Sequence, residues 1–227
     1  RAAAAQGRDS RHGAARGRLP CSVRLNVMAI SYPLTPPDPF YLSRLSLTGV
    51  SAVSRNTSPF TLQTQQYNHA GQAWLGSVDC PPMNRADAET MLAFLLKAQR
   101  GTFNFQDYAN PLPRGSITGT LTVATATANG TTLTYSGTTN STQFAVGDWL
   151  QISTSYYKVV QANGVGTVDL YPALRKSYAG GTAIVYGLTS GARAQGVFRL
   201  AQPTTEWSIE LASVYGISFS IVEDVES

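Results

Sequence analysis

Charge is what this sequence has least of. Lys, Arg, Asp and Glu make up 13 % of the 227 residues, about half the usual share for a soluble protein. The formal net charge of +4 is also unevenly placed. Residues 1–27 carry six arginines (Arg1, Arg8, Arg11, Arg16, Arg18 and Arg24) and one acid, Asp9, whereas 11 Lys/Arg face 12 Asp/Glu from Met28 onward. The body is therefore close to neutral and lacks the basic footprint of a nucleic-acid-binding domain. Cysteine is equally sparse. Cys21 and Cys80 fall on either side of Met28, which fits reduced thiols better than a structural disulfide. No apolar run approaches the ~20 residues of a membrane span, so membrane insertion is not expected.

The chemistry of catalysis is hard to assemble from what remains. Of the two histidines, His12 lies in the Arg-rich segment and His69 in a predicted turn, where a lone histidine reads as a surface residue. The sequence has no Gly-x-Ser-x-Gly elbow, no His-Glu-x-x-His and no Cys-x-x-Cys. Cys80 precedes Pro81 without a histidine partner and reads as a small buried hydrophobe. Asp79, Asp107, Asp148 and Asp169 are scattered, and Asp148 enters a strand from a turn, where Asp favours local hydrogen bonding. Neither the carboxylate pair of a glycosidase nor a cluster of metal ligands is evident. No catalytic residue, cofactor or metal is expected.

What the sequence does have is alternation. "SYPLTPPDPF" (31–40), with four prolines, reads as an extended arm able to reach an adjacent subunit. "YLSRLSLTGVSAV" gives a strand or two. "FTLQTQQYN" and "QAWLGSVDC" read as a hairpin with His69-Ala70-Gly71 at its turn. One helix is plain in "NRADAETMLAFLLKAQRG". Asn84 caps it, Asp87 and Glu89 favour its first turn, and Ala88, Met91, Leu92, Leu95 and Leu96 form an apolar face. Lys97 and Arg100 suit its last turn, and Gly101 suits a left-handed close. "GTFNFQDYANPLPRG" is a short strand running into a linker. The last part, "GVFRLA" and "TEWSIELASVYGISFSIVEDV", returns to long alternating strands. Trp207, Ile209 and Leu211 share one face, as do Tyr215, Ile217, Phe219 and Ile221.

Between these lies a Thr-rich stretch of different character, with an Asn-Gly turn at 129–130 and short strands at regular spacing, as in a small barrel or sandwich. The chain thus reads as nested. A leader of residues 1–27, disordered or translated from a start set too far upstream, precedes an outer β domain of 28–114 plus 192–227. An inserted β domain of 115–191 interrupts it. Phe144, Trp149, Tyr156, Tyr157, Tyr171 and Tyr178 lie within 35 residues of the insert. Rings at period two fill a barrel core, and they also suit stacking on a sugar or a base. Trp149, Tyr156, Tyr157 and Tyr171 are the candidates for ligand or subunit contact.

The ordered series "MAISYPL", "QQYNHAGQAWLGSVDCPPMNRADAETMLAFLLKAQRGTFNF", "GDWLQI…YYKVV…DLYPALR" and "VFRLA…EWSIELASVYGISFSIVE" resembles distal tail proteins of tailed bacteriophages across residues 28–227. The resemblance implies a tail-tube-like β-sandwich with one flanking helix, interrupted by an inserted small β-barrel or sandwich. It also implies a structural role in the virion: a homo-oligomeric ring, six-fold by analogy with tail tubes, at the distal end of the tail tube. Its partners would be copies of itself, the tail-tube, tape-measure and hub proteins and a receptor-binding protein, with DNA only in transit through the lumen. Assembly would take place in the bacterial cytoplasm. The alternative is a carbohydrate-binding module of the tail tip, acting on the host surface.

Overall fold

The computed structural model describes residues 30–110, 112–137, 143–187, 193–205, 207–209 and 215–225. The Arg-rich segment, with His12 and Cys21, lies outside them, as does Leu211. In chain order the elements are β1 (Arg44–Thr57), β2 (Thr64–Asp79), α1 (Arg85–Ala98), β3 (Phe103–Phe105), β4 (Leu121–Ala126), β5 (Thr132–Ser136) and β6 (Trp149–Ile152). There follow β7 (Ser155–Ala162), β8 (Thr167–Tyr171), β9 (Ala183–Val185), β10 (Gly196–Leu200), β11 (Trp207–Ile209) and β12 (Tyr215–Glu223). Among the described residues the fold is mainly β with one helix. The outer segments form a sheet in the order β1-β2-β12-β10-β3, with β11 paired to the start of β12. The segments between β3 and β10 close into a barrel in the order β4-β5-β8-β7-β6-β9. Of the two forms open to the insert, barrel and sandwich, the chain adopts the barrel.

Two cores match this division. Val78, Tyr215, Ile217 and Ile221 of the sheet pack with Met91, Leu92, Phe94 and Leu95 of α1 and with Phe103, Phe105 and Phe198. The barrel encloses Leu121, Leu133, Leu150, Ile152, Tyr157, Val159 and Leu170, all almost fully buried. Strand alternation produces both sets, because every second side chain points to one face. In β12 the odd-numbered residues Tyr215, Ile217 and Ile221 are buried, and Phe219 is half-buried. Asn129, with φ of 61°, takes the left-handed position of the β4–β5 turn, a conformation Asn tolerates.

The first hairpin differs from the expectation. β2 runs unbroken through His69-Ala70-Gly71, and the chain reverses instead at Ser58–Gln63, with Leu62 at a φ of 54°. Ser58 N–H donates to the Gln63 carbonyl at 2.9 Å, and Leu62 N–H donates to the Ser58 carbonyl at 3.0 Å. The Ala-Gly pair makes a bulge rather than a turn. Ser51 faces Gln72 while Val53 faces Asn68, so three residues of β2 oppose one of β1. The arm is tied to its own chain at Leu34 and Phe40. Leu34 N–H donates to the Thr102 carbonyl and Asn104 N–H to the Leu34 carbonyl, both at 2.9 Å. Phe40 stacks on Tyr108 with centroids 4.5 Å apart. Residues 34–40 therefore lie on their own chain and cover the β3 edge.

Helix α1 starts as expected, with Asn84 accepting from Asp87 N–H at 3.1 Å. Its buried face comprises Ala88, Met91, Leu92, Phe94, Leu95 and Ala98, while Leu96 is half exposed. Glu89 pairs with Arg85 at 3.8 Å on the exposed side. Gly101 does not close the helix in the left-handed region, since its φ lies outside it. A Cβ there would sit 2.3 Å from the Tyr32 ring, whose hydroxyl donates to the Lys97 carbonyl at 3.1 Å. Close approach, not turn geometry, selects this glycine. Gly101→Ala should therefore destabilise the protein by about 1–3 kcal/mol through overpacking. In a Tyr32→Ala background the same change should be neutral or stabilising by up to about 1 kcal/mol, because it then only restricts the unfolded chain. Urea unfolding of the two pairs checks this.

Candidate functional site

The rings singled out in the sequence meet where the barrel joins the sheet. Trp149 of β6 stacks on Tyr156 of β7, with centroids 4.4 Å apart and planes 2° from parallel. Trp74 of β2 contacts Trp149 edge-on at 5.1 Å and Tyr171 at 5.0 Å. The Trp74 indole N–H donates to the Tyr156 carbonyl at 3.3 Å, and that of Trp149 to Asp107 Oδ2 at 3.0 Å. Asp107 N–H donates in turn to the Tyr156 hydroxyl at 3.1 Å. Burial pushes the Tyr156 phenol far above its ordinary pKa, so it stays a neutral partner. Glycines at two points let the rings approach: a Cβ on Gly196 would lie 2.6 Å from Tyr156 and one on Gly49 2.6 Å from Tyr171.

Tyr157, the neighbour of Tyr156 in a strand, points the other way into the barrel. Its hydroxyl shares a hydrogen bond with that of Tyr178 at 2.9 Å and accepts from Arg175 N–H at 3.0 Å. Trp149, Tyr156 and Tyr157 are buried, and Tyr171 is half-buried against Trp74. Three of the four rings are thus enclosed by their own chain, and a ligand would have to displace this packing to reach them. Asp148, near Trp149, is buried and accepts from the backbone N–H groups of Arg114, Gly115 and Ala145. Cys80 is buried, and burial followed by the Asp79 charge raises its thiol to about 11. It is therefore protonated and behaves as a small apolar side chain. Among the described residues, no group of three or more His, Cys, Asp or Glu is placed to hold a metal ion.

A buried polar clamp completes the joint. Arg175, just beyond β8, meets Glu223 of β12 at 2.6 Å, and both side chains are at least nine-tenths buried. Glu223 also accepts from Trp74 N–H at 3.1 Å, Arg175 donates to the Gln72 carbonyl, and Gln72 Oε1 accepts from Ala173 N–H at 2.6 Å. Burial raises the Glu223 carboxyl above its ordinary pKa, against the opposing pull of Arg175 and of Trp74 N–H.

Beyond this clamp, β1 and β2 leave the body as a two-stranded ribbon. Ser51–Thr57 and Thr64–Gly71 are exposed on both faces, apart from the half-buried end of the reversal at Ser58. β12 pairs with β2 only from Leu75 to Asp79, so the distal half of β2 has an open edge, and β1 is open along its outer edge. Neither strand contains Lys or Pro. Polar pairs link them: Thr57 with Thr64 at 3.2 Å and Arg55 with Gln66 at 3.1 Å. The exposed apolar residues are Val53, Tyr67 and, at the tip, Phe60 and Leu62, which are 95 % and 78 % exposed. Sequence reasoning missed this surface because it broke the ribbon at residue 69. The available signal was two long polar alternating runs flanking Ser58-Pro59. The chain matches no protein-family model, and no curated protein matches it in sequence.

Removing one partner of the buried pair tests the joint. Arg175→Met leaves Glu223 unpaired and should cost about 3–5 kcal/mol near neutral pH. The sign of the pH dependence follows from the raised carboxyl. Between its unfolded pKa and the higher folded one, the folded state binds more protons, so the Glu223 contribution falls as pH rises through that interval. The cost of Arg175→Met should accordingly shrink as pH drops through the raised folded value, which lies above the ordinary Glu value of 4.5, because Glu223 becomes neutral there. Denaturant unfolding of both proteins across acid to neutral pH measures this, and a pH-independent difference would contradict it.

Proposed function

We propose that this chain is a structural subunit of a bacteriophage tail, one copy of a homo-oligomeric ring at the distal end of the tail tube that links the tube to the hub and receptor-binding parts. The observation that carries the reading is the ribbon. A two-stranded ribbon open on both faces is marginal in water, and open edges without lysine, proline or a covering element invite pairing with another chain. Here the two edges differ: the outer edge of β1 on one side and the distal edge of β2 on the other. Pairing β1 of one copy with β2 of the next is a heterologous contact, and a heterologous contact closes into a ring when its rotation permits. The resemblance to distal tail proteins supports that closure, with six copies by analogy and a lumen for DNA in transit. The covered β3 edge fits the same reading, because among the described residues the longest open edges are then those of the ribbon.

The carbohydrate-binding alternative relied on Trp149, Tyr156, Tyr157 and Tyr171, which here hold the barrel together and to the sheet. The ring reading therefore leads. Electron micrographs of the purified full chain at micromolar concentration should show rings with a lumen wide enough for duplex DNA. Val53→Lys with Tyr67→Lys should weaken assembly at least about tenfold, or about 1.4 kcal/mol, without changing the melting temperature of the monomer. A chain that stays monomeric at that concentration, together with particles that lack the ring, would overturn the reading.

A further inference from the structure

We infer that the free protein pairs face to face with a second copy of itself, each ribbon tip seating in a socket at the base of the other's ribbon. The tip and the socket are separate features of one chain. At the tip, Phe60 and Leu62 project an aromatic ring and an isobutyl group almost entirely into water. Leu62 does so from a left-handed φ of 54°, where Gly or Asn would sit without strain. A strained backbone that presents an apolar side chain to solvent points to a surface with a role.

The socket is a cavity of about 520 Å³ where the ribbon leaves the body, and Val50, Ala52, Ala70, Ala73 and Leu174 supply much of its lining. The bulge creates it: small residues at Ala52, Ala70 and Gly71 leave space that larger side chains would fill. An apolar cavity of about 150 Å³ accepts benzene, so this one has room for both tip side chains. Neither the tip, residues 58–63, nor the small residues of the bulge carry a charge, and Arg175, the charged residue of the lining, is already paired with Glu223.

The ribbon's own length prevents the tip from filling its own socket. Six residues separate the Ser51–Gln72 pair beside the socket from the Thr57–Thr64 pair beside the tip, a span of about 20 Å at the rise of an extended strand. A second copy approaching with its ribbon antiparallel brings each tip to the other's socket. One two-fold operation then satisfies both contacts, giving an isologous and closed arrangement. This pairing uses the tips and sockets and leaves the outer edge of β1 and the distal edge of β2 free. It is independent of the ring, and two rings can pair in the same way.

The mass of the full chain in solution, measured by light scattering across the micromolar range, tests the pairing. Wild-type assemblies should contain an even number of chains, and Phe60→Ser with Leu62→Ser should halve that number. Ala70→Glu should halve it as well. Combining Phe60→Lys with Ala70→Glu should restore it through an ion pair across the interface, and unchanged melting of each variant shows that it is folded. Halving from a double ring to a single ring supports both the pairing and the ring. Halving from two chains to one supports the pairing and counts against the ring. A ring whose mass the tip variant leaves unchanged overturns the pairing and keeps the ring, and a wild-type monomer overturns both.

Discussion

Trp74 is the residue through which the two halves of this protein become one object. It lies in β2, its indole N–H is bonded to the barrel at Tyr156, its backbone N–H is bonded to Glu223, and its ring is wedged between Trp149 and Tyr171. The two kinds of interaction in the joint do different things. Each aromatic pair contributes about 0.5–1.5 kcal/mol beyond the burial of its area. A buried ion pair such as Arg175–Glu223 can be close to neutral overall, because desolvation opposes the Coulombic gain. The rings therefore supply the adhesion. The ion pair and the Gln72 bonds fix the angle, since any other orientation would strand a buried charge. That clamp grips β2 at Gln72 and Trp74, where the ribbon begins to project, so the direction of the ribbon is set by its root.

The parts of the fold legible in the sequence are those governed by local rules. Asn84 capping, the turn at Asn129-Gly130 and the alternating burial of β12 follow from hydrogen-bonding geometry and strand periodicity, and all three are found. The helical face was legible except at its edge. Phe94 is buried edge-on against Phe103, with centroids 5.5 Å apart, whereas Leu96 is half exposed. Gly101 has the composition of a helix cap but serves a contact 69 residues away in sequence, at Tyr32, and no local rule contains that information. The hairpin error has the same origin. Ala70-Gly71 looks like a turn, but whether a Gly-containing stretch turns or bulges depends on what lies across from it. Here β1 is long enough to pair on both sides of the interruption.

The rings of the barrel show the limit from the functional side. A cluster of aromatics at period two signals that large apolar surfaces will be buried, yet it is silent about what buries them. In this chain the partner for Trp149 and Tyr156 is the sheet, and for Tyr157 it is the barrel interior. The candidate site could not be read from that cluster because chemistry suited to a ligand was used to dock one part of the chain onto another. The exposed ribbon is built largely from Ser, Thr, Gln and Asn, with Val53, Phe60, Leu62 and Tyr67 among them, residues that no motif marks.

That plain composition follows from the overall scarcity of charge in the sequence. Lysines along β1 and β2 would protect an exposed ribbon from unwanted pairing, and neither strand has one. An adhesive edge tends toward open-ended aggregation unless each copy offers a fixed number of contacts in fixed directions. The fold provides that limit by covering the β3 edge with the arm at Leu34 and by closing the insert into a barrel without edges. Among the described residues, the longest unpaired strand edges are thereby those of the ribbon, which the clamp holds at its root. Low charge and a closed barrel then act together: the barrel hides the edges of its strands, and the ribbon keeps its own without lysine to guard them.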